Sequence, residues 1–192
     1  MGMDLKSKTT PHIRYRAGYA GLKFCPLSSN GKGEFTKNYF YWEFEAKPTI
    51  FSKVYRVLLV WDFQFAAPKV YILNNELQEV EFTKRIPHLY CREKIQLCLY
   101  YPEYKEFNEY MSLCETIIPW TYRWLQYYEE WLFSGEWKGG DAPHSIVSSN
   151  EGEASSEQES HIVKHNKKSI TDRIYEQRKK AFDLETNLKS KT

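Results

Sequence analysis

Four cysteines hold most of the nucleophilic potential of this sequence: Cys25, Cys91, Cys98 and Cys114. None forms a C-x-x-C pair, since Cys91 and Cys98 are seven apart and Cys98 and Cys114 sixteen apart. Structural zinc sites draw their ligands from close pairs. Even with His88 nearby, the spacing points to free thiols and no metal. Cys98 lies in the run Leu97-Cys98-Leu99-Tyr100-Tyr101 before Pro102. Successive side chains of an extended run face opposite ways. If both leucines enter the core, Cys98 faces solvent. Acyl transfer through a thioester needs such an accessible thiolate, yet a free cysteine, with a pKa near ~8.5, is barely ionised at neutral pH. Arg92, Lys94 and Lys105 are close in sequence and could stabilise the thiolate or guide an incoming carboxyl terminus. The competing reading is a small buried core cysteine, a common role.

Other groups compete or assist. His88 titrates in the useful range, and is either an acid–base group near Cys98 or a group that orients its loop. His144, after Gly139-Gly140, is a second acid–base candidate. Cys91 lacks the flanking leucines of Cys98. Cys114 falls where a helix begins, where a dipole could activate it or the core could absorb it. A cysteine hydrolase would need a histidine base and a third orienting group, with only His88 and His144 to draw on in the later core. Gly31-Lys32-Gly33 is too short for a phosphate-binding loop. No cofactor is expected, and the chain should not activate a carboxyl group with ATP unaided.

Strands must position these groups first. Tyr39 to Glu45 alternates large apolar residues with others, Val54 to Phe65 is β-branched and aromatic, and Pro68 to Leu73 is a third strand stopped by Asn74-Asn75. Short connections make an antiparallel meander of three to four strands. A long loop bearing Cys91 and Cys98 follows, ending in a short extended run at Leu97–Tyr101. Ser112-x-x-Glu115 has capping-box spacing. Ile117, Trp120, Trp124, Tyr128 and Trp131 then form a helical apolar stripe, with a kink or restart expected at Pro119 and a stop at Ser134-Gly135. The six tryptophans of the chain read as core. The fold class is α+β, with this helix against one sheet face.

The chain has 192 residues, a net charge of +2 and no apolar run approaching the ~20 residues of a membrane span. The balance argues against a nucleic-acid binder. No secretory signal is evident, so a cytoplasmic setting is expected. Residues 1–144 hold 30 of the 32 aromatics and form the core domain. Residues 145–165 read as an acidic, disordered linker, because 148–160 carries four glutamates and no large apolar residue. Residues 166–192 are a basic tail with a candidate helix at 169–188. The expected state is a frayed, solvated segment, the competing one a docking helix for an acidic partner.

The segment from Phe65 to Cys98 resembles ubiquitin-conjugating enzymes. Phe65-Ala66-Ala67-Pro68-Lys69-Val70 is similar to that family's P-P-K-V signature, Pro87-His88-Leu89-Tyr90 stands where the family has His-Pro-Asn, and Cys98-Leu99 follows His88 at the family's spacing. Leu97–Pro102, Thr116–Trp120, Trp124–Leu132, Gly135-Glu136-Trp137 and Gly139-Gly140 to His144 resemble one bacterial branch. These are the short ubiquitin-conjugating-like proteins of antiphage operons, including those of the cyclic-oligonucleotide signalling type. The resemblance spans about residues 10–144 and implies a ubiquitin-conjugating-like fold. It further implies a thioester at Cys98 with the C-terminus of a partner, a cyclic-nucleotide synthase or a ubiquitin-like protein. That C-terminus then passes to an amine, with or without a separate activating enzyme. Tyr90 replaces the family's asparagine, and its hydroxyl could serve the oxyanion or only pack. No obvious amphipathic helix precedes the strands. A catalytically silent, partner-binding relative is the alternative.

Limited proteolysis is expected to cut within residues 148–160 while residues 10–144 persist. Equal resistance along the whole chain, read by mass spectrometry, would refute this boundary.

Overall fold

The computed structural model describes residues 11–101, 104–140 and 168–189. The elements run as helix α1 (Pro11–Phe24), strands β1 (Lys32–Phe35), β2 (Tyr39–Ala46), β3 (Tyr55–Asp62) and β4 (Lys69–Ile72), helix α2 (Asn75–Lys84), strands β5 (Leu89–Cys91) and β6 (Gln96–Leu97), and helices α3 (Ile117–Ser134) and α4 (Ile170–Lys189). The strands form one antiparallel sheet in the order β1-β2-β3-β4-β6-β5. The α+β class and the sheet-packed helix agree with the sequence reading. The sheet has six strands rather than three to four. The additional ones are β1, β5 and β6, none longer than four residues, too short for an alternation to stand out. The extended run expected at Leu97–Tyr101 is strand only at Gln96–Leu97, followed by one further bond from Cys98 N–H to the His88 carbonyl (3.0 Å).

Both faces of β3 are buried, because period-2 alternation sends alternate residues to two cores. Val57, Leu59 and Trp61 join Phe40, Trp42 and Phe44 of β2 under α3. Leu58 and Val60 join Tyr71 and Leu73 on the opposite face, under Ile174 and Tyr175 of α4. Helix α3 buries Ile117, Thr121, Trp124, Leu125, Tyr128 and Trp131, and ends at Gly135. Gly135 has φ 75°, a left-handed cap that costs glycine little, and its N–H reaches the Trp131 carbonyl. The start of α3 differs from expectation. The helix begins at Ile117, and Ser112 and Glu115 lie in the preceding turn, joined by a backbone bond of 3.1 Å. Pro119 is therefore the third helical residue, where a missing N–H leaves no intrahelical bond unmade.

Two helices correct the sequence reading of the N-terminal half. Helix α1 forms despite its weak amphipathic pattern, because its contacts are aromatic. Tyr15 stacks on Phe63 (centroids 4.0 Å apart) and meets Trp61 edge-on (5.1 Å), and Leu22 is fully buried. Helix α2 occupies the start of the expected long loop and buries Leu77 and Glu81.

The tail departs further from a frayed, solvated segment. Helix α4 is twenty residues long and buries Thr171, Ile174 and Tyr175. Its Arg178 donates to Glu43 Oε2 at 2.6 Å, while Arg56 donates to Glu43 Oε1 at 2.9 Å. The 145–165 segment lies outside the described residues. Among the described residues, no helix is long and apolar enough to cross a membrane, and no group of three or more His, Cys, Asp or Glu could hold a metal ion.

Glu43 is only 2% exposed and neutralises two guanidinium groups that are themselves 15% exposed. Removing one member of a buried ion cluster strands the others, at a cost of about 3 kcal/mol or more. Glu43→Gln should lower the urea midpoint accordingly. A loss below about 1 kcal/mol would show that water serves Arg178 and that Glu45 and Glu185 suffice for Arg56.

Candidate active site

The hairpin of β5 and β6 carries Cys98 to the rim of the sheet. Leu97 is buried on β6 and Leu99 packs partly buried against the same core, so the side chain between them turns outward. Cys98 is half-buried and lines an open cleft of about 260 Å³. Helix α3 supplies one wall with Trp120, Arg123, Trp124 and Tyr127, spaced i, i+3, i+4 and i+7 on one helical face. Tyr100 and Glu106 lie beside the sulfur, and Trp137, Gly139 and Gly140 complete the lining. A Cβ on Gly139 would come within 2.4 Å of the Trp137 indole nitrogen and 2.9 Å of the Tyr127 ring, so a larger residue there would displace these walls.

His88 lines the same cleft. It has φ 52°, its carbonyl accepts the Cys98 N–H (3.0 Å) and the Trp124 indole N–H (3.0 Å), and its ring stacks on Trp137 at 5.0 Å. The structure thus brings His88 and Cys98 together through the backbone. Tyr90 is half-exposed, and its hydroxyl donates to the Tyr100 carbonyl at 2.6 Å. The Cys98 Sγ lies 3.9 Å from that same carbonyl. His144 lies outside the described residues.

The electrostatics oppose ionisation. Burial pushes the Cys98 thiol up, the neighbouring Tyr90 hydroxyl pulls it partly back, and the Glu106 carboxylate pushes it up again. Tyr90 is in turn raised by its own burial and by the sulfur beside it. Glu106 is held in place by accepting the Tyr101 N–H at 2.9 Å.

The basic residues expected to favour the thiolate are engaged elsewhere. Arg92 donates to Glu81 (2.7 Å) and to the Ile86 carbonyl (3.0 Å), and Lys94 pairs with Asp172 of α4. Lys105 is exposed and outside the cleft lining. The cation that does line the cleft is Arg123, which sequence reasoning missed. It sits inside the apolar stripe of α3, and its signal was the i, i+3, i+4 spacing with Trp120, Trp124 and Tyr127. Trp120 and Trp137, read as core, are half-buried cleft walls as well.

The other thiols sit apart from the cleft. Cys91 is half-buried near Tyr71 and Tyr175, on the α4 side of the sheet. Cys114 donates to the Gly21 carbonyl at 3.3 Å, and burial together with the neighbouring Cys25 pushes its pKa up to about 12. All four cysteines are free thiols.

Comparison with known families matches residues 23–145 to the family described as Type II CBASS E2 protein. No curated protein matches the chain.

Because burial raises the Cys98 thiol, its alkylation by iodoacetamide should rise with pH to a midpoint above the ordinary ~8.5. Tyr90→Phe removes the hydroxyl that favours the thiolate, so the midpoint should move higher still and the rate at pH 7 fall severalfold. Peptide-resolved mass spectrometry separates Cys98 from the other thiols. A midpoint at or below 8.5, or a downward shift in Tyr90→Phe, would contradict this electrostatic account.

Proposed function

This chain belongs to the Type II CBASS E2 protein family, and from that membership we propose that Cys98 is the acyl carrier of a conjugation reaction in antiphage defence. The family's name gives it a conjugating-enzyme role. The observation that carries the finer reading is a half-buried thiol lining an open cleft with aromatic walls. A cleft of this shape can receive the end of another polypeptide.

The chemistry follows from the side chains present. The Cys98 thiolate attacks the activated carbonyl carbon at the partner's C-terminus. The bond to the activating group breaks and a thioester forms. An amine then attacks the same carbonyl, an amide forms, the C–S bond breaks and the thiolate is released. The amine's proton leaves to solvent or a nearby base. Negative charge collects on the carbonyl oxygen in both steps, and a positioned donor stabilises it. Tyr90, which stands where the resembled enzymes carry asparagine, is the donor we assign. Its hydroxyl must leave the Tyr100 carbonyl or share the bond. His88 acts through its carbonyl, holding Cys98 against Trp124. His144 remains the second acid–base candidate, four residues after Gly140.

The partner we propose is the C-terminal tail of a cyclic-nucleotide synthase. Its activated form would come from a separate activating enzyme or from the partner's own chemistry. A ubiquitin-like protein is the competing partner. A silent, binding-only role is favoured by Tyr90 standing in place of the asparagine and by the burial that pushes the Cys98 thiol up.

Co-expression of the full chain with the synthase from its own operon should yield a covalent adduct that strong reductant or hydroxylamine releases, and Cys98→Ala should abolish it. Cys98→Ala should also abolish phage protection. Protection retained in Cys98→Ala would establish the silent reading. A Cys98-dependent adduct formed only with a ubiquitin-like protein would reassign the partner.

A further inference from the structure

The segment that delivers Cys98 to the cleft is strained and lightly fastened. Three non-glycine residues along it have positive φ: Arg85 (59°), His88 (52°) and Ile95 (47°). That region is disfavoured for any L residue and most for a β-branched one such as Ile95. Such conformations persist only where surrounding contacts over-determine them, and they gather at functional sites. On the sheet side the fastening is short. β6 pairs with β4 at Tyr71 and Gln96, supported by a 3.2 Å bond from Ile72 N–H to the Ile95 carbonyl.

The second fastening comes from α4. Lys94, the residue before strained Ile95, is ion-paired with Asp172 in the first turn of α4. Asp172 is itself locked. Its N–H donates to Ser169 Oγ (3.1 Å), and that hydroxyl donates back to its carboxylate (2.7 Å). This reciprocal cap fixes the carboxylate before it meets the lysine. Tyr175, one turn on, packs on Tyr71 (5.0 Å) and has the Lys94 ammonium 5.9 Å from its ring centre. Farther along, Lys179 donates to the Leu73 carbonyl (2.7 Å) just past β4, and Arg178 meets Glu43. The helix therefore bridges β2, β4 and the turn of the Cys98 hairpin. It lies beyond the family-matched stretch, which ends at residue 145.

We propose that α4 is a positioning clamp for the conjugation site: through the Asp172–Lys94 contact it holds the β5–β6 hairpin, and with it Cys98, in register. Asp172 and Lys94 are positioning residues that touch no reacting atom. Their effect passes along the hairpin, where Leu89 pairs with Leu97 and the His88 carbonyl receives the Cys98 N–H. Loosening this hairpin frees the sulfur from its walls while spoiling its alignment. The inference rests on Cys98 being the acyl carrier, but its test reads the hairpin directly.

The test uses the full chain carrying Asp172→Lys, Lys94→Glu, or both, with Ile174→Asp as a variant that lifts the helix. Each single variant should raise the alkylation rate of Cys98 at neutral pH by about fivefold, the effect expected for a roughly one-contact loss. Hydrogen exchange over residues 89–97 should rise with it, while conjugation falls. Buried Cys25, on the face of the sheet opposite α4, should keep its protection, and the double charge swap should recover part of the wild-type protection at Cys98. Unchanged Cys98 alkylation in Ile174→Asp, when exchange over 170–189 shows the helix released, would overturn the proposal. So would equal acceleration at Cys25 and Cys98 that the double swap leaves unreversed, since that marks general destabilisation. Failure of the acyl-carrier reading would look different: no partner adduct in the wild type, with the alkylation pattern intact.

Discussion

One carbonyl oxygen, that of His88, joins the three parts of the candidate site. It accepts the Cys98 N–H and the Trp124 indole N–H, both at 3.0 Å. A carbonyl has two lone pairs, and both are used here. The first bond ties the two arms of the β5–β6 hairpin together where the strands end. The second ties that hairpin to α3, the helix that walls the cleft. Without the second bond the hairpin would lose its tie to α3 and keep only its short pairing with β4 and the ion pairs of Arg92 with α2 and Lys94 with α4. His88 presents this carbonyl with φ 52° while its ring lies on Trp137. The sequence leaves His88 either an acid–base group or one that orients its loop, and its carbonyl fills the second role here.

The aromatic richness of the core serves the same end. Trp124 stacks on Tyr128 (5.6 Å, 9° between planes), and Trp137 leans on both Trp124 and Tyr127. On the sheet side, Phe40 and Trp61 meet Tyr15, Tyr19 and Phe63. Large flat side chains have few rotamers and bury much area each. A cleft wall made of them on a helix keeps its shape better than one made of loop residues. This explains how a two-residue strand can hold a reactive group at a defined place. The rigidity comes from the layer behind it.

Much of this was legible in the sequence, and the rest was hidden for identifiable reasons. Tyr39–Glu45 alternates, Val54–Phe65 is β-branched and aromatic, Pro68–Leu73 is stopped by Asn74-Asn75, and β2, β3 and β4 lie within a residue or three of those limits. The stripe from Ile117 to Trp131 and the glycine stop predict α3 well. Helix α1 escaped notice because Arg, Gly and Tyr interrupt any aliphatic stripe, and its anchors are ring contacts with distant strands. Helix α2 escaped because Leu77 and Glu81 are its only buried residues. The docking of α4 could not be read at all, since Asp172, Arg178 and Lys179 find partners 78 to 135 positions away. The same long-range pairing misled the electrostatic reading of Arg92 and Lys94. Proximity in sequence counts charges near Cys98, but a charge already met by Glu81 or Asp172 does little for a thiolate elsewhere. Arg123 was hidden for the opposite reason, as a lone charge inside an apolar stripe.

A thiol with a raised pKa ionises little at neutral pH, yet it suits the carrier role proposed for Cys98. Burial lowers the fraction of thiolate at neutral pH, while a higher pKa makes each thiolate intrinsically more nucleophilic and a slower leaving group. A thioester on such a sulfur is less prone to break before its acceptor arrives. The apolar walls of Trp120, Trp124 and Trp137 act in the same direction by keeping water from one side of the bond. In the conjugation proposed above, reaction would then depend on a specific amine being placed in the cleft and on Tyr90 meeting the developing charge. On this argument the acidic neighbour Glu106 is consistent with the function. It depresses thiolate formation when the site is empty, and it offers an attractive contact to a cationic amine once the acyl group is in place.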